Sequence, residues 1–342
     1  MKRLMRLSGL VLGLVVCAAH GTDVRRFEGE TMGSTWSVNA VLPDGADDRA
    51  IERGIQLEVD RVVAQMSTYE ADSDLSRFNR APAGTWHTLP PEFFAVLSYA
   101  LDLAKASGGA YDPTVGPLVN LWGFGPDRRA HEAPDAAAIA VARKRVGWSR
   151  IRLDAATRRA FQPGGAYVDL SSVAKGFGVD QIARFLDRSH VRAYLVEVGG
   201  ELRAHGRKPD GSPWHVGIER PGAASGAVDD PDEVGRIVSL RDRAIATSGD
   251  YRHFFRSGGA FYSHHIDPRT GYPVAHRVAS VSVVADDCMH ADSLGTTMTV
   301  LGPEEGMAYA KRHGIAVLFI LYGADGRFEE RASPAFVASL KS

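Results

Sequence analysis

A single mixed α+β domain, with a central β-sheet and flanking helices, is the fold that this sequence predicts, and three observations carry it. Helical stripes near both ends enclose a β-rich middle. Local turns, not a Pro- or Ser-rich hinge, separate the elements, and no internal repeat shows. Neither a complete G-x-G-x-x-G nor a Walker Gly-Lys-Ser/Thr occurs, so the Rossmann and P-loop folds fail on their own motifs. The composition suits a soluble globular protein, with 342 residues, 44% of them hydrophobic and 24% charged. A formal net charge of −1 leaves no global field that would select nucleic acid. The twelve histidines lack metal-ligand spacing, and C-x-x-C and H-E-x-x-H are absent, which argues against zinc.

The chain begins with a targeting segment. Lys2, Arg3 and Arg6 precede an apolar run over 7–16 that is too short to span a bilayer. Residues 1–21 are therefore expected to be an export signal, and 22–342 the folded domain. Cleavage after Ala19 or Gly21 is one reading. The other is a lipoprotein signal ending at Cys17, although Val16 stands where a small residue usually precedes the lipidated cysteine. Either way the mature protein works outside the cytoplasm. With Cys288 as its only other cysteine, no intramolecular disulfide is expected after ordinary cleavage.

Residues 35–41 alternate as a strand, after a glycine-containing bend at 30–34. Asp47 or Asp48 caps a helix to about Met66, whose buried stripe is Ile51, Ile55, Val59, Val62 and Met66. The stretch 66–79 reads as a helix end and a short capped turn. A second helix over 91–107 stops at Gly108-Gly109. Glycine and proline recur through 109–125 with Trp122 and Phe124 between them, which describes a loop lying against something flat or bulky. A flavin, an adenine or the neighbouring core would each fit. A surface helix starts near Pro134. Residues 151–153 and 160–162 form a small hairpin, and 166–170 a strand that leads into a helix ending near Leu186. The small residues at that strand-to-helix junction suit a diphosphate, because a helix start offers N–H groups and partial positive charge. Further strands are expected at 193–198, 201–204, 214–219, 236–240, 244–247 and 278–284, with a loop at 223–232. Helices from about Ala291 and Pro303 precede a last buried strand at 315–321.

The chemistry concentrates at 262–273. His264, His265, Asp267, Arg269 and Thr270 stand around Pro268 and Gly271, which form a rigid turn. Asp292 and Thr296 are spaced to share a helix face, and a carboxylate beside a hydroxyl is hard-oxygen ligation suited to magnesium. Each signal alone has a plain structural reading: a turn, a helix surface, a hydrogen-bonding histidine, a solvated Lys175.

Taken in order, the pieces resemble one family. They are Thr31-Met32-Gly33, Ser67-Thr68-Tyr69, Asp112-Pro113-Thr114-Val115-Gly116, Asp169-Leu170-Ser171, Val198-Gly199-Gly200, Thr247-Ser248-Gly249, His264 through Gly271, and Ala291-Asp292 through Thr296. This is the order found in the ApbE-type flavin transferases, which are FAD:protein FMN transferases once described as thiamine-biosynthesis lipoproteins. The resemblance covers the chain from about Phe27 onward. It implies an exported, periplasmic, magnesium-dependent enzyme, with a lipid anchor in the inner membrane if Cys17 is modified. FAD would be its substrate. FMN would pass to a Ser or Thr hydroxyl of an acceptor protein, such as an electron-transfer flavoprotein subunit, and AMP would leave. Carried over by position, Met32, Tyr69, Ala110, Tyr111, Asp112, Asp169, Lys175 and His265 would line the FAD site. Ser172 through its carbonyl, Asp292 and Thr296 would hold Mg²⁺, and His264 would be the catalytic histidine. The chain departs from the family at Gly33-Ser34-Thr35, where Gly-Thr is usual, and at His265, where an aliphatic residue is frequent. A magnesium-dependent FAD pyrophosphatase and a non-catalytic FAD-binding protein share the same cofactor site and remain open as alternatives.

Overall fold

The computed structural model of the chain describes residues 23–127, 132–219, 234–249, 254–323 and 327–340. The expected export segment 1–21, Cys17 and the loop at 223–232 lie outside the described residues.

The chain opens with a hairpin of β1 (Val24–Thr31) and β2 (Ser34–Val41), turning at Met32-Gly33 with φ of 50° and 69°. Positive φ at both turn positions matches the right-handed strand twist. Only β2 was legible in the alternation. β1 is an edge strand that buries little beyond Phe27 and Thr31, so Arg25, Arg26, Glu28 and Glu30 hide its period.

Asp47 caps α1 (Asp48–Met66), and all five residues of the expected stripe are buried. Ser73 caps the short α2 (Asp74–Asn79), where the sequence suggested a capped turn. β3 (Thr85–Thr88) precedes α3 (Pro91–Ala106), which ends as expected at Gly108 and Gly109, both left-handed. The presumed loop 109–125 contains a six-residue helix, α4 (Gly116–Leu121), too short to show a helical period. Asp135 caps α5 (Ala136–Arg143). β4 (Arg152–Asp154) and β5 (Arg159–Gln162) pair as the expected hairpin, and β3 adds to the other side of β5.

The strand expected at 166–170 does not form. The segment is extended, but Asn79 takes the place of a neighbouring strand: its amide donates to the Val168 carbonyl and accepts the Val168 N–H, both at 2.8 Å. The chain then enters α6 (Ala174–Arg188).

The next elements are β6 (Ala193–Val198), β7 (Glu201–His205), β8 (Trp214–Glu219), β9 (Val234–Leu240) and β10 (Ala244–Gly249). A separate hairpin of β11 (Phe254–Ser257) and β12 (Ala260–Ser263) was not anticipated. β13 (Val278–Ala285) leads to α7 (Cys288–His313), which breaks at Gly302 (φ 74°) before Pro303; this explains the two helices read from the sequence. β14 (Ala316–Tyr322) is the last buried strand, as expected, and an exposed strand follows it: β15 (Phe328–Ala332), of sequence FEERA, and then α8 (Pro334–Ser339).

Eight of the described strands make one antiparallel sheet in the order β1-β2-β6-β7-β10-β13-β14-β15. One face meets α1, α6 and α7 through Trp36, Val38, Ile55, Val179, Ile182 and Val196 among others. The opposite face is covered by the β8–β9 hairpin and by Phe336 of α8. β13 is buried on both faces, so its side chains do not alternate. A further core joins α2, α3 and the 166–173 segment to the start of α6. That junction positions the site described next. No helix among the described residues is long and apolar enough to cross a membrane.

Candidate functional site

α6 and α7 pack closely at Gly176. A Cβ there would lie 2.3 Å from the Cys288 carbonyl oxygen and 2.8 Å from Asp292 Cβ, so only glycine fits. The approach lets the Gly176 N–H donate to Asp292 Oδ2 at 2.9 Å. Asp180, one turn along α6, accepts the Cys288 and Met289 N–H groups at 3.0 and 2.9 Å and pairs with Arg203 at 2.5 Å. Together these contacts hold the start of α7, with Asp292 and Thr296 on successive turns, against the start of α6.

Lys175 Nζ lies 2.6 Å from Glu201 Oε1, while the buried Glu201 Oε2 has no hydrogen-bond partner among the described residues. Burial pushes the Asp292 and Glu201 carboxyl groups up, although Lys175 pulls both down. Burial opposes charge on Lys175 in turn, yet Glu201 and Asp292 hold it above the ordinary ammonium range. Two buried carboxylates thus share one ammonium, and Asp180 has its own partner. The cluster is short of positive charge.

Tyr111 is buried, and its hydroxyl accepts from Ser172 Oγ at 3.2 Å. Burial raises its phenol far above the usual range. Asp169 Oδ1 accepts the Ser171 N–H at 2.9 Å and the Ser171 hydroxyl at 2.6 Å, which fixes the turn before Ser172. Tyr69 stands on the loop after α1 with 66% of its surface exposed. Partial burial, and after it the charge of Asp169, raise its phenol. Met32 closes the group from the β1–β2 turn: its Cε is 3.2 Å from where a Gly178 Cβ would stand. A non-glycine residue at φ 50° is uncommon and costs on the order of 1–3 kcal/mol, so the fold maintains this turn against a local penalty. A hollow of about 500 Å³ opens beside it, lined by residues 30–35. The cleft of about 620 Å³ between α8 and the α7 start contains none of the expected site residues.

Asp112 is occupied by its own loop. Oδ1 accepts the Thr114 N–H at 2.8 Å and its hydroxyl at 2.7 Å, and Oδ2 accepts the Trp148 N–H at 3.1 Å. Ala110 packs into the core beside Val278 and Val281. These two residues shape the loop that carries Tyr111.

His264 and His265 form a second group. Their rings lie 3.9 Å apart, and Phe124 approaches His264 edge-on at 6.2 Å. His265 is buried; its N–H donates to Ser263 Oγ at 3.1 Å and its carbonyl accepts the Val274 N–H at 2.9 Å. The Asp-Pro-Arg-Thr-Gly segment is the rigid turn expected. The Asp267 carbonyl accepts the Thr270 and Gly271 N–H groups, Gly271 has φ 85°, and Trp122 Nε1 donates to the Gly271 carbonyl at 2.9 Å. Its charges, however, are engaged with each other: Arg269 pairs with Asp267 at 3.0 Å and with Glu305 at 3.3 Å. The loop 109–125 connects the two groups, with Tyr111 and Asp112 at one end and Trp122 and Phe124 at the other.

The junction at 171–178 is less open than the sequence suggested, because Asp292 already accepts one of its N–H groups. Glu201 and Asp180 were not anticipated. Glu201 directly follows the Gly199-Gly200 turn, and an acid there, at the inward-facing first position of β7, was the available signal. Asp180 sits between the apolar Val179 and Ile182, where an unpaired carboxylate would be costly.

The model of the ApbE family matches residues 32–319. The chain is similar to the FAD:protein FMN transferase of Vibrio cholerae, 40% identical over 334 residues, with 97% of each chain covered. It is also similar to that of Haemophilus influenzae, 39% identical over 334 residues, covering 96% of this chain and 94% of the relative. Among solved structures, the apo crystal structure of Pseudomonas stutzeri flavinyl transferase ApbE superposes with a TM-score of 0.85 at 38% identity, covering 94% of this chain and 98% of that one. By the family model, by relatives of this length and by the shared fold, the chain belongs to the ApbE family.

Proposed function

We propose that this chain transfers the FMN half of FAD to a Ser or Thr hydroxyl of an exported redox protein and releases AMP, with Mg²⁺ bound. The observation that carries the reading is the meeting of Asp292 with the start of α6 beside the Lys175–Glu201 pair. A divalent cation suits a place where buried carboxylates outnumber the one ammonium, and a bound cation would in turn bring a diphosphate to the start of α6.

The residues fit a magnesium ion. Asp292 Oδ2 takes the Gly176 N–H, which leaves its other oxygen for a cation. Thr296, one turn after Asp292 on α7, and the Ser172 carbonyl, just before α6, would supply further hard donors. The shortage of positive charge around Asp292 and Glu201 is what a cation would relieve. When bound, Mg²⁺ would neutralise charge on the phosphate oxygens.

The protein's own groups do the rest. Met32, Tyr69, Tyr111 and the loop shaped by Ala110 and Asp112 hold FAD, with the exposed Tyr69 ring offering a stacking face. Asp169 keeps the Ser171–Ser172 turn in place, and Lys175 faces the diphosphate. The acceptor hydroxyl oxygen bonds to the FMN phosphorus, and the bridging P–O bond to AMP breaks. His264 accepts the hydroxyl proton, and His265 backs its ring.

The test is incubation with FAD, Mg²⁺ and candidate exported flavoprotein subunits, scoring in-gel flavin fluorescence and AMP. A fluorescent acceptor band that disappears with a chelator is expected. FMN and AMP released without a labelled protein would make the chain a pyrophosphatase. FAD bound and left intact would make it a binding protein.

We also infer export, on the charged start and apolar run of 1–21. Intact-mass measurement of protein made in a bacterial host is expected to give a chain beginning at a lipidated Cys17 or near His20 to Thr22. A mass that retains residues 1–16 would rule this out.

A further inference from the structure

The turn between β6 and β7 decides which buried carboxylate Lys175 meets. Gly199 and Gly200 both take positive φ, 58° and 100°. A Cβ on Gly199 would stand 3.2 Å from Lys175 Cδ, so the glycine leaves a saddle for the lysine stem. Glu197 holds that turn: its Oε1 accepts the Gly200 N–H at 2.7 Å, and its Oε2 accepts from Ser37 Oγ at 3.3 Å. Directly after the turn, Glu201 Oε1 accepts from Lys175 Nζ at 2.6 Å. Glu201 Oε2 is buried and has no hydrogen-bond partner among the described residues. A buried acid with one oxygen unsatisfied is a poor device for stability, and a buried ion pair adds little of its own.

Asp292 lies on the other side of the lysine. Gly176, the residue after Lys175, donates its N–H to Asp292 Oδ2 at 2.9 Å. The backbone of Lys175 is thus tied to Asp292, while its side chain runs over the glycine turn and ends on Glu201. Asp180 is occupied by Arg203 at 2.5 Å, and Glu197 by its own turn. Two carboxylates and one ammonium leave one net negative charge for a divalent cation to meet. Without the charge on Glu201 the balance would be zero, and Asp292 would be the buried carboxylate left for Lys175. An ammonium paired there would compete with any cation for the same oxygen.

We propose that Glu201 is a positioning residue for the cation site: by holding Lys175 Nζ on the β7 side, it keeps the ammonium off Asp292 and leaves that carboxylate to a divalent cation. The inference rests on the transferase reading above, which puts Mg²⁺ at Asp292. Glu201 acts through Lys175 and needs no contact with the cation itself.

The test is calorimetric titration of Mg²⁺ alone, without FAD, into wild type, Glu201→Gln, Lys175→Met and the double variant, with a melting temperature for each. Glutamine keeps the shape of Glu201 and removes its charge. Its Mg²⁺ dissociation constant should rise about 10–100-fold, the usual cost of losing a group that orients a metal ligand. The double variant again carries one net negative charge and has no competing ammonium, so its affinity should return close to that of wild type. A merely structural role for Glu201 gives the opposite result, because a second substitution at the same buried pair would not repair the first. An unchanged dissociation constant in Glu201→Gln overturns the proposal, and so does a raised one that Lys175→Met fails to restore. If Glu201→Gln does not fold, Lys175→Met decides: binding at least as tight as wild type is expected, and weaker binding overturns the proposal. Asp292→Asn fixes the place of binding and should abolish it. If wild type binds no Mg²⁺, or Asp292→Asn binds it equally well, the metal reading itself fails and the proposal falls with it. That result is distinct from equal affinity in wild type and Glu201→Gln with binding lost in Asp292→Asn, which removes the proposal alone.

Discussion

Asp292→Asn is expected to lower FMN transfer by about 10³-fold or more while leaving the protein folded. A bound cation at a reacting phosphate stabilises the transition state by several kcal/mol, and each 1.4 kcal/mol is tenfold in rate. Asparagine keeps an oxygen that can accept the Gly176 N–H, now made by Asp292 Oδ2 at 2.9 Å. Alanine is the poorer probe, because it strands that buried N–H at about 1–3 kcal/mol. Stability supplies a second readout. Burial raises the Asp292 pKa, so the stability linked to its proton is present below the unfolded value of 3.8 and is lost as pH rises through the raised folded value. A neutral asparagine escapes that loss. At neutral pH and without metal, the variant should therefore melt no lower than wild type. Added Mg²⁺ should raise the melting temperature of wild type only. Wild-type turnover by folded Asp292→Asn with magnesium present would remove the metal site.

His264→Ala should slow flavinylation by about 10²–10⁴-fold, the usual worth of general-base assistance. FAD affinity should change far less, because one lost neutral hydrogen bond costs about 0.5–1.5 kcal/mol. His265→Ala should show the reverse pattern. Its ring is buried against His264, so its loss should weaken FAD binding and lower the melting temperature with a smaller effect on rate. Transfer rates and FAD dissociation constants of both variants, measured side by side, decide the matter. If His264→Ala transfers at the wild-type rate, the proton goes to another group. Asp267 is poorly placed to be that group, since Arg269 holds its carboxylate at 3.0 Å.

Local physics made much of the fold legible. The α1 stripe and its cap at Asp47, the glycine stop after α3 and the turn at 267–271 depend on neighbours within a few residues, so their residue types declare them. The same holds for the turn between β6 and β7 at Gly199-Gly200. The candidate site was legible as an ordered set of short motifs whose separate pieces were weak.

What the sequence could not decide depends on partners far along the chain. The 166–170 segment alternates like a strand, but its neighbour is the side chain of Asn79, which no local period reveals. β1 and β15 are edges whose exposed charges mask their pairing. Glu201 pairs with Lys175, and Asp180 caps α7 from α6, only because Gly176 lets the two helices approach. Sequence by itself determined which groups are available and the local turns that present them. Tertiary structure alone decided which carboxylates are buried together and how many cations they share, because burial and charge balance arise between elements that are distant in sequence.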